Sequence, residues 1–185
     1  MVSTLVERAR AGDEEAFASL ARAAGDRLLA IAYRILRDLG LAEDAVQQTL
    51  VLAWRELPSL RDVERFDAWL RRLLVHACYR EARRGRSWAS NVRALSIDEP
   101  SGSDDFTTVV QRDQLERGYR RLPPEQRAVF VFHHYVGLTL PETADQLGVP
   151  LGTVKSRLHY ATNTLRAANA ADLRSSTDTS RQRMA

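Results

Sequence analysis

Segment 139–166 constrains the fold more than any other part of this 185-residue chain. Thr139-Leu140-Pro141-Glu142 has the spacing of a capping box, in which the Thr hydroxyl accepts from the backbone three residues on and Glu142 reaches back. The pattern predicts a short helix to 147, a turn at Gly148-Val149-Pro150, and a second helix over about 151–166. Ala144 is small enough to let two helices approach, Gly148 supplies the turn, and Val154 anchors the second helix to the first. That is a helix-turn-helix, a unit whose second helix enters the major groove of duplex DNA.

The helical wheel of that second helix agrees with this. Val154, Leu158, Ala161 and Leu165 form the stripe expected to be buried. Lys155, His159, Thr162, Asn163 and Arg166 are expected to face outward, flanked by Ser156. Cations mixed with donors and acceptors suit phosphates and base edges. An ordinary surface helix also has a polar outer face, so the cap and the Ala–Gly–Val spacing carry the reading.

The remaining chain divides by composition. Residues 1–86 are rich in Ala, Leu and Arg and read as a helical block. Helices are predicted over about 3–11, from Asp13 to about 36 with Gly25 as a candidate break, 42–56 closed by Pro58, and 66–84. Residues 87–110 collect Ser, Asp, Asn, Pro and Gly and read as a flexible linker. Residues 111–167 return to helical periodicity, and the small polar residues of 168–185 suggest a disordered tail. The fold class expected is all-α, two small helical domains joined by a flexible acidic linker.

Charge follows the same division. The first block holds 15 basic and 13 acidic residues, the second 8 and 5, and the linker sets Arg93 against Asp98, Glu99, Asp104 and Asp105. A net charge of +3 permits a nucleic-acid partner without requiring one. Hydrophobic residues at 44% are too many for a disordered chain. No apolar run approaches the ~18 residues of a membrane span. Glu7, Arg8 and Arg10 stand where an export signal needs an apolar run, so a cytoplasmic protein is expected. The single cysteine, Cys78, excludes an internal disulfide and a cysteine-rich zinc site. His133 and His134 are adjacent, fall on different helix faces, and have no third ligand at a metal spacing, so no metal or cofactor is expected.

Helix 66–86 carries a second pattern. Phe66, Trp69, Leu70, Leu73 and Ala77 line one face, while Arg71, Arg72, Val75, Tyr79, Arg83 and Arg86 line the other. Cations interleaved with an aromatic ring suit a melted nucleic-acid strand, although many solvated helix faces are equally rich in arginine.

Three stretches together resemble the extracytoplasmic-function (ECF) class of bacterial RNA polymerase sigma factors, group IV of the primary-sigma superfamily. Ala42-Glu43-Asp44-Ala45-Val46-Gln47-Gln48-Thr49 through Ala53-Trp54-Arg55 is similar to the helix that docks on the polymerase clamp. Phe66-Asp67-Ala68-Trp69-Leu70 through Arg83-Arg84 resembles the helix that opens and holds the minus-ten element. Leu122-Pro123-Pro124-Glu125-Gln126-Arg127 followed by Gly152-Thr153-Val154-Lys155-Ser156-Arg157-Leu158 resembles the minus-thirty-five reader. The resemblance covers about 12–167 in the family's order. It departs at Gln48, where the family usually has a carboxylate, and at His159-Tyr160, where a longer basic residue is common nearby.

The resemblance implies a specificity subunit with no catalytic residues of its own. Its partners would be core RNA polymerase, through the clamp and flap, and promoter DNA, both duplex and melted; an anti-sigma factor is a further candidate. Residues 1–86 would be the region 2 domain and 111–167 the region 4 domain. Lys155, Ser156 and His159 would touch minus-thirty-five bases, with Thr153 and Arg157 on phosphates. Loop 59–65 would hold a flipped minus-ten base, with Arg61, Arg65, Arg71, Arg72, Tyr79 and Arg83 as the strand contacts. Trp69 lies on the apolar stripe and reads as core ahead of base wedge. Asp44, Gln47, Gln48 and Trp54 are the clamp candidates, with Trp54 equally suited to closing the core. The acidic linker would thread the RNA path or serve as a soluble tether.

Two other classes remain to be weighed. A stand-alone regulator explains 138–166 and leaves 42–57 and 66–86 without a role. An enzyme lacks its motif: no P-loop, G-x-S-x-G, H-E-x-x-H or paired-cysteine pattern occurs.

Overall fold

A computed structural model describes residues 2–93 and 116–182, with side chains over 2–85 and 116–170. Every regular element among them is helical. The acidic residues Asp98, Glu99, Asp104 and Asp105 lie outside the described residues.

Helix α1 (Val2–Arg10) buries Val6 and Ala9 and turns at Gly12 into α2 (Glu14–Leu36). Asp13 sets the start of α2: its Oδ1 accepts from the Ala16 N–H at 3.0 Å while Arg8 holds Oδ2 at 2.6 Å. Ala16, Leu20, Ala24, Leu28, Ile31 and Ile35 recur every third or fourth residue and are buried, so α2 runs unbroken through Gly25. Arg37, left-handed at φ 61°, ends it. Asp38 caps α3 (Leu39–Glu56) by accepting from the Leu41 N–H at 2.9 Å, so this helix begins before Gly40 rather than after it. Its inner face is Ala42, Ala45, Thr49 and Ala53, residues small enough for α3 to lie close between α2 and α4. Pro58 ends α3 as expected, and two short 3-10 turns lead to α4 (Phe66–Arg93), which extends past the expected end at 84 and through the first seven residues assigned to the linker.

The second block opens with helical residues 116–121 (α5), then α6 (Pro124–Phe130), which widens into a π-helical turn over Val131–Tyr135. Helices α7 (Leu140–Leu147) and α8 (Leu151–Gln182) complete it. The helical backbone of α8 reaches Gln182, where the composition of 168–185 suggests disorder. A Cβ on Gly118 would stand 2.8 Å from Ala168 Cβ, so only glycine lets α5 cross α8 at this distance.

The two blocks are packed together rather than held apart. One buried core runs from Val6, Leu28 and Leu74 into Val129, Phe132, Leu147 and Val154. Helix α6 lies on α2, and both α6 and α7 lie on α4. At one end of this seam the Arg34 guanidinium stands 3.8 Å from the Tyr135 ring and Arg37 pairs with Glu116.

Candidate nucleic-acid interface

The helix-turn-helix forms as expected. The Glu142 N–H donates to Thr139 Oγ1 at 3.4 Å, and the Thr139 N–H and hydroxyl both donate to Glu142 Oε2, at 2.8 and 2.6 Å. Those two donors hold the Glu142 carboxyl below its ordinary range, the hydroxyl more than the backbone. Gly148 is left-handed at φ 64°, and its N–H caps the last carbonyls of α7. Val154, Ala161 and Leu165 are buried and Leu158 is half-buried against the same core, which turns Lys155, Ser156 and His159 outward.

On that outward face Lys155, Ser156 and His159 are exposed, while Thr153 and Arg157 are half-buried at its margins. Asn163 and His159 are joined side chain to side chain at 2.8 Å. Thr162, expected to face outward, turns its hydroxyl back to the Leu158 carbonyl at 2.8 Å. Tyr160 is 62% exposed beside His159 and extends the polar face with an aromatic ring.

On the first block Arg61, Arg65, Arg72 and Arg83 are exposed, whereas Arg71, Val75 and Tyr79 are not; the Arg86 side chain lies outside the described ones. Val75 is fully buried, Tyr79 is half-buried, and Arg71 is half-buried with its Nε lacking a partner. The reason is tertiary: α6 and α7 cover this side of α4. Burial raises the Tyr79 phenol above its ordinary range, with Arg157 pulling the other way, and lowers the Arg71 guanidinium. Trp69 is neither full core nor a free wedge. It packs on Phe66 at 5.9 Å and lines a cavity of about 270 Å³ with Arg61, Arg65, Arg72, Asp145 and Gln146. The last two come from α7, and no periodicity in α4 could have announced them.

On α3, Asp44 and Gln47 are exposed on one face, together with Val51 at 54% exposure. Val51 stands four residues after Gln47, a helical spacing that marks it from the sequence once the face is chosen. Gln48 turns inward and donates its side-chain amide to Glu81. Trp54 is half-buried against Phe17, ring centroids 5.0 Å apart. Cys78 is enclosed, and burial pushes its thiol up to about 12. Among the described residues no helix is long and apolar enough to cross a membrane.

Known proteins match this arrangement. Residues 20–88 match the family Sigma-70 region 2, and residues 112–164 match Sigma-70, region 4. The ECF RNA polymerase sigma factor SigL of Mycobacterium tuberculosis is 34% identical over 164 residues, 84% of this chain and 92% of that protein. The ECF RNA polymerase sigma factor SigM of the same species is 35% identical over 147 residues, 80% of this chain and 74% of that one. Among solved structures, CnrH in complex with the cytosolic domain of CnrY aligns with a TM-score of 0.62 and 27% identity, covering 92% of this chain and 98% of CnrH. Both sigma regions occur in order on the two helical blocks, and the relatives share a third of their residues across most of the chain: it belongs to the ECF RNA polymerase sigma factors.

Proposed function

We propose that three faces of this sigma factor divide the work of promoter-specific initiation. The exposed face of α8 reads the minus-thirty-five element, with Lys155, Ser156 and His159 on bases and Thr153 and Arg157 on phosphates. Loop 59–65 and α4 hold the melted minus-ten strand through Arg61, Arg65, Arg71, Arg72, Tyr79 and Arg83. Asp44 and Gln47 of α3 meet the polymerase clamp, with Gln48 and Trp54 supporting that helix from behind. Residues 1–86 act as region 2, 111–167 as region 4, and 87–110 as the connection between them.

The observation that carries this reading is the capped helix-turn-helix. It turns Lys155, Ser156 and His159 to solvent on a helix whose other side is locked by Val154. A rigid helix presenting donors and one firm cation is suited to base readout. Bond-making chemistry belongs to the polymerase, and the protein works in the cytoplasm. CnrH is held by a domain of another protein, which supports a partner of that kind for this chain as well.

Gel filtration with bacterial core RNA polymerase, beside a duplex DNA shift without it, tests the reading. Co-elution with core, and run-off transcripts starting at defined sites, is the expected result. Tight specific duplex binding with no polymerase complex overturns it in favour of a free-standing regulator.

A further inference from the structure

The side of α4 that carries Arg71, Val75 and Tyr79 lies against the protein's own second block, and the edge of that contact is held by charge. The Asp145 carboxylate of α7 lies 3.4 Å from Arg65 Nη2 and 3.6 Å from Arg72 Nη2. Arg72 also donates to the Asp145 main-chain carbonyl, in the last turn of α7, where the helix dipole favours a cation. A carboxylate between two guanidiniums stands where a backbone phosphate would stand if the strand were bound.

Around these ion pairs the seam has a polar, poorly satisfied margin, next to the apolar core that the two blocks share. Arg71 Nε, Tyr79 Oη and Gln146 Oε1 are buried without a hydrogen-bond partner. Arg71 and Gln146 line one crevice with Pro141, Glu142 and Asp145, so two of the three unmatched groups lie beside the ion pairs. Buried polar atoms are nearly always paired in a settled interface, so this margin is where the contact between the blocks is weakest. Meanwhile Lys155, Ser156 and His159 of α8 remain exposed. The arrangement engages Arg65 and Arg72 and partly buries Arg71 and Tyr79 on one promoter-reading face, and leaves the other open.

We propose that Asp145 is an intramolecular phosphate mimic that latches α7 over the minus-ten strand site, so that the free protein is closed toward the melted strand and opens when a strand displaces the carboxylate. The inference rests on reading α4 as the strand-binding face. Strand and latch compete for Arg65 and Arg72, so each must weaken the other by the same factor.

The test uses the full chain, hydrogen–deuterium exchange, and the anisotropy of a labelled mixed-sequence single-stranded oligonucleotide. Asp145→Asn should bind the strand about threefold to tenfold more tightly, the range expected for losing two partly exposed ion pairs. It should also speed amide exchange in 139–147. Asp26→Asn, an equal charge change at an exposed site away from the seam, should do neither. Adding strand to the wild-type chain should speed exchange in 139–147. If strand binds and that exchange is unchanged, the latch is wrong and the strand site stands. If no variant binds strand although Asp145→Asn exchanges faster, the strand reading of α4 fails and this inference falls with it. If Asp145→Asn matches Asp26→Asn in both measurements, the latch is overturned.

Discussion

The side-chain amide of Gln48 donates to Glu81, a carboxylate with 2% of its side chain exposed and with Arg84 Nη1 3.0 Å away on its outer side. The pair ties α3 to α4 behind the face that carries Asp44 and Gln47. A buried carboxylate needs its donors, and losing one exposes the full desolvation penalty. Gln48→Ala should therefore destabilise the fold by about 1–3 kcal/mol. Gln48→Glu should cost at least as much at neutral pH, because it sets two carboxylates against each other. Asp44→Ala and Gln47→Ala should leave the melting temperature unchanged and weaken binding to core polymerase. Thermal melts beside a core-binding titration check this; equal melting temperatures for Gln48→Ala and wild type would refute the structural role.

On α8 the candidate DNA contacts divide into two kinds by what they can touch. Lys155→Ala or His159→Ala should cost about 1–3 kcal/mol and relax preference at one base position. Arg157→Ala should weaken all sequences alike and reduce the salt slope by about 1. Competition binding of holoenzyme to a library of minus-thirty-five variants at two salt concentrations separates these outcomes.

Local signals were legible where the cause is local. Asp13, Thr139, Glu142, Gly148 and Pro58 act within a few residues of themselves, and each stands where the spacing places it. Gly25 and Gly40 mislead as helix breakers because neighbouring buried alanines and the Asp38 cap outweigh one glycine's conformational entropy. Val75 and Tyr79 fall on the arginine-rich face of the helical wheel, which reports only that a face is mixed. Their cover comes from α6 and α7, about fifty or more residues later, and no pattern within α4 encodes it. Asp145 looks from the sequence like any exposed acid on a short helix. Its role emerges only when the two blocks are packed together.

The crossing of α5 and α8 depends on one missing methyl group. Gly118→Ala would drive a Cβ to 2.8 Å from Ala168 Cβ, closer than such atoms approach, and neither is the flexible end of a long side chain. The helices must separate, at about 1–3 kcal/mol. The double variant Gly118→Ala with Ala168→Gly should recover part of that loss by returning the space. Denaturant titration of the single and double variants measures both, and an additive loss would place the strain elsewhere.

Two helix starts give the fold an acid dependence whose sign is fixed. Asp13 is held below its ordinary range by the Ala16 N–H first and Arg8 next, and Glu142 by the Thr139 hydroxyl and then its N–H. Both carboxyls are depressed in the folded state relative to the unfolded one. Their contribution is thus complete above the unfolded carboxylate range, near pH 4, and is lost as pH falls through the lower folded values. Melting temperatures should be level from neutrality to about pH 5 and decline below it. Asp13→Asn keeps an N-cap acceptor and removes the titrating group, so it should shrink the acid decline and lower neutral stability by about the same amount. Thr139→Ala removes the cap itself and should cost about 1 kcal/mol at neutral pH. It should also return Glu142 toward an ordinary carboxylate, which NMR titration of its side-chain carboxyl would register directly.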